Sequence, residues 1–132
     1  MRTSRPSVAT THGIRIEVVT RFVPEHSAPR QRQFLFAYEV TISNVGEETA
    51  QLLSRHWIIT NGEGHVEEVE GPGVVGEQPV LEPGMRFKYQ SFCPLNTPFG
   101  TMHGTYTMVR PGGDTFEAEI APFMLAAPYA VN

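Results

Sequence analysis

An all-β sandwich of about seven antiparallel strands is the fold this sequence predicts, on three observations. Apolar and polar residues alternate in short segments, turn chemistry separates those segments, and no window combines helical periodicity with freedom from Pro and Gly. At 132 residues and 40% hydrophobic content, the chain holds one domain with a core of its own.

Residues 1–12 are polar and aperiodic and read as a flexible arm, with the domain over 13–125 and a tail over 126–132. Ile14, Ile16 and Val18 alternate with Arg15 and Glu17, the period-two pattern of a half-buried strand. Pro24 and Pro29 bracket a loop. The strongest alternation lies in 33–44, with Phe34, Phe36, Tyr38, Val40 and Ile42 on one face. Asn44-Val45-Gly46 is turn chemistry that closes a hairpin to a third strand, 52–60, carrying Trp57. Asn61-Gly62 suits a two-residue turn, and Glu63-Gly64 after it allows a longer hairpin with a bulge, before a returning strand over 65–70. Segments 85–93, 101–110 and 115–121 complete the set, the last ending against Pro122. Trp57 on the third strand and Gly104-Thr105-Tyr106, which resembles a tyrosine corner with its phenol capping backbone, make the sandwich immunoglobulin-like or fibronectin type III-like.

The net charge of −4 provides no global field toward nucleic acid or anionic membrane, and no stretch approaches membrane-spanning length. Met1-Arg2-Thr3-Ser4-Arg5 looks like the basic start of a leader, but no apolar run follows within 6–17. Cys93, the only cysteine, permits no intrachain disulfide and fits a reducing cytoplasm; between Phe92 and Pro94 it reads as a small hydrophobe, not a nucleophile. No catalytic triad, carboxylate pair or phosphate-binding lysine loop stands out, so a binding or regulatory module is expected, with no resident cofactor.

Three places invite a ligand or partner. Loop 71–84 opens with Gly71, Gly73, Val74, Val75, Gly76 and Gln78, and its glycines spell G-x-G-x-x-G. The dinucleotide reading fails, since Pro72 lacks an amide donor, no helix follows, and Glu67, Glu68, Glu70, Glu77 and Glu82 surround the segment. A non-Rossmann nest of loop amides for a pyrophosphate stays open, beside a partner-binding surface. The plainer alternative folds Val74, Val75, Val80 and Leu81 back over one end of the core. The second place is 94–100, rigidified by Pro94 and Pro98: Leu95 and Phe99, if exposed together, form an apolar knob for a protein, and if buried they only close the sandwich. The third is His56 with His65, which flank the Asn61-Gly62 turn; facing one another across it, they would hold a borderline divalent cation weakly. An exposed edge strand would also allow a homodimer across a two-fold axis.

Arg55-His56-Trp57-Ile58-Ile59, the Asn61-Gly62 hairpin, 68–79 with its glycines, Leu81-Glu82-Pro83-Gly84 and Met102-His103-Gly104-Thr105-Tyr106 together resemble the bacterial ApaG family from about residue 13 to 125. The resemblance implies a fibronectin type III-like sandwich and an indirect link to cobalt resistance and magnesium efflux. It also implies an interaction module, since related domains occur in eukaryotic F-box and polymerase-associated proteins. Bacterial members often lie beside a diadenosine tetraphosphate hydrolase, which keeps a nucleotide ligand in view. Asn61 stands where the family's Trp-x-x-x-Asp-Gly turn has its aspartate, which removes a carboxylate from any metal site there.

Overall fold

Nine strands carry the chain in a computed structural model that describes residues 6–128. They are β1 (Ser7–Thr11), β2 (Ile14–Phe22), β3 (Phe34–Asn44), β4 (Ala50–Asn61), β5 (Val66–Pro72), β6 (Val80–Leu81), β7 (Arg86–Leu95), β8 (Phe99–Val109) and β9 (Thr115–Ala126). One sheet runs β1-β2-β3-β7 and the other β5-β4-β8-β9, with the short β6 pairing β4 beyond the end of β5. All pairings are antiparallel. The seven expected strands are all present, in a two-sheet sandwich. Among the described residues the named helical elements are two three-residue 3-10 turns at Pro24–His26 and Pro29–Gln31, and none is long and apolar enough to cross a membrane.

The alternating side chains meet between the sheets. Ile14, Ile16 and Val18 of β2 and Phe34, Phe36, Tyr38, Val40 and Ile42 of β3 are buried against Leu52, Trp57, Met102, Tyr106, Met108, Ile120 and Leu125. Trp57 is the hub: its ring meets Tyr38, Tyr106 and Phe123 edge-on at 5.4, 6.2 and 5.9 Å. Burying a ring of this size stabilises the fold by about 3 kcal/mol. Gly104 opposite it is required by close approach, since a Cβ there would lie 2.0 Å from the His56 carbonyl oxygen.

Five expectations are corrected. The arm is not free over its whole length: residues 1–5 lie outside the described part, but Ser7–Thr11 pairs with β2. Hydroxyls on β1 also reach β9, where Ser7 Oγ donates to the Ala121 carbonyl and Thr11 Oγ1 accepts from the Glu119 amide. Nor does the last strand stop at Pro122. The register slips between Met102 and Gly104, so that β9 carries one extra residue there, and this bulge on an outer strand accommodates Pro122, which has no N–H to offer the ladder. The expected tail therefore begins inside β9, and Ala127 is buried with its amide bonded to the Pro98 carbonyl; residues 129–132 lie outside the described part.

Asn44 does not close a hairpin, because β3 and β4 lie in different sheets. Its buried side chain instead ties the crossover, donating to the Glu48 and Leu81 carbonyls and accepting from the Gly46 amide. The β4–β5 connection is the longer hairpin, with Gly64 at φ +86° and the Gly64 amide on the Asn61 carbonyl. Lastly, Tyr106 caps no backbone: it is buried on β8, and its hydroxyl hydrogen-bonds that of Tyr89 on the opposite sheet.

Candidate functional site

Loop 71–84 grows out of an irregularity in β4. Leu52 pairs with Met108 and Ser54 with Thr107, so Leu53 is an extra residue against β8, while its carbonyl faces the other side, just beyond the last β4–β5 pair, Ser54 with Pro72. That carbonyl accepts from the Gly73 amide at 2.8 Å and from Gln78 Nε2 at 2.9 Å. Arg55 lies over Gly71, where any Cβ would meet the guanidinium at 3.0 Å, and its Nη1 donates to the Pro72 and Gly73 carbonyls. Gln51 Nε2 donates to the Gln78 carbonyl and the Leu52 amide to that of Pro79. The loop is thus pinned at both roots, and Leu53, Gln51 and Arg55, which do the pinning, carry no sequence signal of the role.

Between those roots the chain makes one tight turn. Val74 and Glu77 exchange two backbone hydrogen bonds of 2.8 Å, and the residues between them, Val75 and Gly76, have φ of +43° and +81°. This is a type I′ turn, for which Asn-Gly is the favoured pair and Val-Gly is not. Left-handed backbone is costly for a β-branched residue, yet Val75 is 57% exposed and gains little packing in return. The four apolar residues expected to fold back together divide: Val74 and Leu81 are buried, whereas Val75 and Val80 are exposed.

For an anion, the nest is largely spent. The Gly73, Val74 and Glu77 amides are bonded within the molecule, and Pro72 has none. The guanidinium of Arg55 faces carbonyls, not solvent anions.

The second place is also divided. Leu95 is buried, and Phe99 is 41% exposed with its ring over Gly62, where a Cβ would meet it at 3.0 Å. Thr97, itself buried, accepts from the Gly62 amide and donates to the Phe99 carbonyl. Arg32 spans the same end, bonding the Asn96 carbonyl and Glu63 Oε2. Phe34, Pro98 and Phe99 line the shallow depression that results, about 360 Å³ in volume. So the two side chains expected to form one knob do not: only Phe99 is presented.

The histidines separate. Ladder partners of β4 and β5 place Asn61 at the turn beside His65, with the Asn61 amide on the His65 carbonyl, while His56 stands opposite Glu70. Five residue steps along the ladder, roughly 16 Å, separate the two imidazoles, so they cannot share an ion. His56 Nε2 lies instead 2.7 Å from Glu68 Oε1. Asn61 is occupied by turn duty: Oδ1 accepts from the Glu63 and His65 amides, and Nδ2 donates to Asn96 Oδ1, a bond that an aspartate would not supply.

Cys93 is buried on β7, and burial, with the Glu67 carboxylate adding to it, pushes its thiol up to about 11. That suits a packing residue and opposes a nucleophilic one. Burial likewise raises the phenols of Tyr38, Tyr89 and Tyr106 above their ordinary value.

Residues 24–110 match the family model of the ApaG domain. Protein ApaG of Acidithiobacillus ferrooxidans is 59% identical over 114 residues, covering 86% of this chain and 90% of the relative. Protein ApaG of Anaeromyxobacter dehalogenans is 55% identical over 126 residues, 96% of this chain and 99% of the relative. Among solved structures, that of an ApaA protein from Bordetella pertussis is similar with a TM-score of 0.85 at 56% identity, covering 87% of this chain and 94% of the other. The β-sandwich, its glycine loop and the extent of these matches agree: this chain belongs to the ApaG family.

Proposed function

We propose that the domain is a non-enzymatic binding module that contacts a protein partner through the tip of loop 71–84, and through that partner bears indirectly on divalent-cation homeostasis. The observation that carries the contact is Val75: an exposed, β-branched side chain held at positive φ by a loop pinned at both roots. Strain of this kind is kept where the side chain it presents is used. Val80, 51% exposed, gives the tip a second apolar element, and the pinned roots lower the ordering cost of docking. The link to cobalt and magnesium rests on the family resemblance alone, and the relatives' names carry no enzymatic activity.

The alternative is a pyrophosphate or nucleotide sensor or enzyme using Gly71, Gly73 and Gly76. It is left with few free loop amides. The test compares proteins retained from a bacterial lysate by the wild-type chain and by a Val75→Asn/Val80→Ser double variant, with backbone amide spectra showing that both are folded. A partner held by the first and lost by the second is the expected result. Equal retention would remove the loop as the contact, and saturable amide shifts over 71–84 with diadenosine tetraphosphate would favour the alternative.

A further inference from the structure

We propose that His56, Glu68 and Glu70 bind one first-row divalent cation of the zinc class on the outer face of β4 and β5. The register brings them together: Glu70 stands directly opposite His56, and Glu68, two residues along β5, points to the same side of the sheet. One ligand atom from each lies within 4.8 Å of the other two, and His56 Nε2 and Glu68 Oε1 are already 2.7 Å apart. Tetrahedral bonds of about 2.0–2.1 Å would set ligand atoms about 3.3 Å apart, which small rotations of the exposed carboxylates reach.

The backbone beneath is held in place, because Trp57 beside His56 is buried in the core and its ladder partner Val69 packs against the same core. Among the described residues, neither Glu68 nor Glu70 is ion-paired with a Lys or Arg, so two carboxylates share one imidazole as their only ionisable partner. A dication satisfies that imbalance. Imidazole with two carboxylates selects zinc or nickel over magnesium, and three protein ligands leave coordination positions for water. The site is separate from the Val75 tip and stands whether or not that tip docks a protein.

The test is calorimetric titration of the tag-free full chain with Zn2+ and with Mg2+, repeated on His56→Ala, Glu70→Gln and His65→Ala. The three side chains lie on the surface, and thermal melts confirm that each variant is folded. Saturable binding of one Zn2+ per chain, preferred over Mg2+, is expected, with affinity falling about tenfold or more in His56→Ala and Glu70→Gln and unchanged in His65→Ala. No saturable Zn2+ binding by the wild-type chain would overturn the assignment. So would wild-type affinity in both His56→Ala and Glu70→Gln, or an equal loss in His65→Ala.

Discussion

Val75→Asn should make the domain more stable, although it removes an apolar side chain. Holding an L-residue in left-handed backbone costs about 1–2 kcal/mol, and a β-branched residue sits toward the upper end. Asparagine adopts that region with little penalty and forms, with Gly76, the preferred type I′ pair. Against this stands lost burial. Full burial of a valine side chain is worth about 1.5 kcal/mol, and Val75 is 57% exposed, so the loss is about 0.6 kcal/mol. The net gain is about 1 kcal/mol, which in a domain of this size raises the melting temperature by about 4 °C. Urea unfolding is the assay, with an unchanged slope showing that the gain lies in stability and not in the surface exposed. Val75→Gly should gain less, because glycine adds about 0.5–1 kcal/mol of backbone entropy to be lost on folding, and Val75→Ala less again. If Val75→Asn is no more stable than the wild-type chain, the turn is not strained and the inference that Val75 is kept for contact loses its ground.

Tyr106→Phe should cost about 1–3 kcal/mol by leaving the Tyr89 hydroxyl buried and unpaired, while adding Tyr89→Phe should cost little more; strictly additive losses in the double-mutant cycle would mean that the two hydroxyls are not coupled. Stability should also fall as pH rises from 9 to 11, because the Cys93 thiol ionises in the unfolded chain near 9 but in the folded one only at about 11; its share is complete below pH 9 and amounts to about 2–3 kcal/mol, so Cys93→Ala should make that limb shallower and leave the part that the buried tyrosines contribute. Parallel pH profiles for the two proteins would contradict it.

The fold was legible wherever burial on one face imposed a period of two, as in β2, β3 and β7, because most inward residues there are apolar, with Thr20, Asn44 and Ser91 the polar ones on those faces. It was illegible where something else holds the strand. β1 reads Ser-Val-Ala-Thr-Thr, and what fixes it is its backbone ladder to β2 together with hydroxyl-to-backbone bonding to β9. β9 passes through Pro122 because an outer strand with a bulge there tolerates a missing donor, a property of position and not of the residue.

The site shows the same limit at the scale of register. Partners in the β4–β5 ladder have numbers that sum to 126, as in Trp57 with Val69 and Thr60 with Val66. That sum is set by the turn at Gly62, Glu63 and Gly64, whose third residue takes the left-handed conformation. A two-residue turn at Asn61-Gly62 would give 123 and put Glu67 opposite His56; neither register places His65 there. Symmetry about the turn was therefore no guide to which side chains meet. Counting along the ladder from the true turn brings Glu70 to His56 and Glu68 to the same face, so a cation site tied to this register carries its own check. Inserting one residue in β5 between Val66 and Glu67, with the turn itself kept, should shift the glutamates along β4, turn them toward the core face and abolish Zn2+ binding without replacing a ligand.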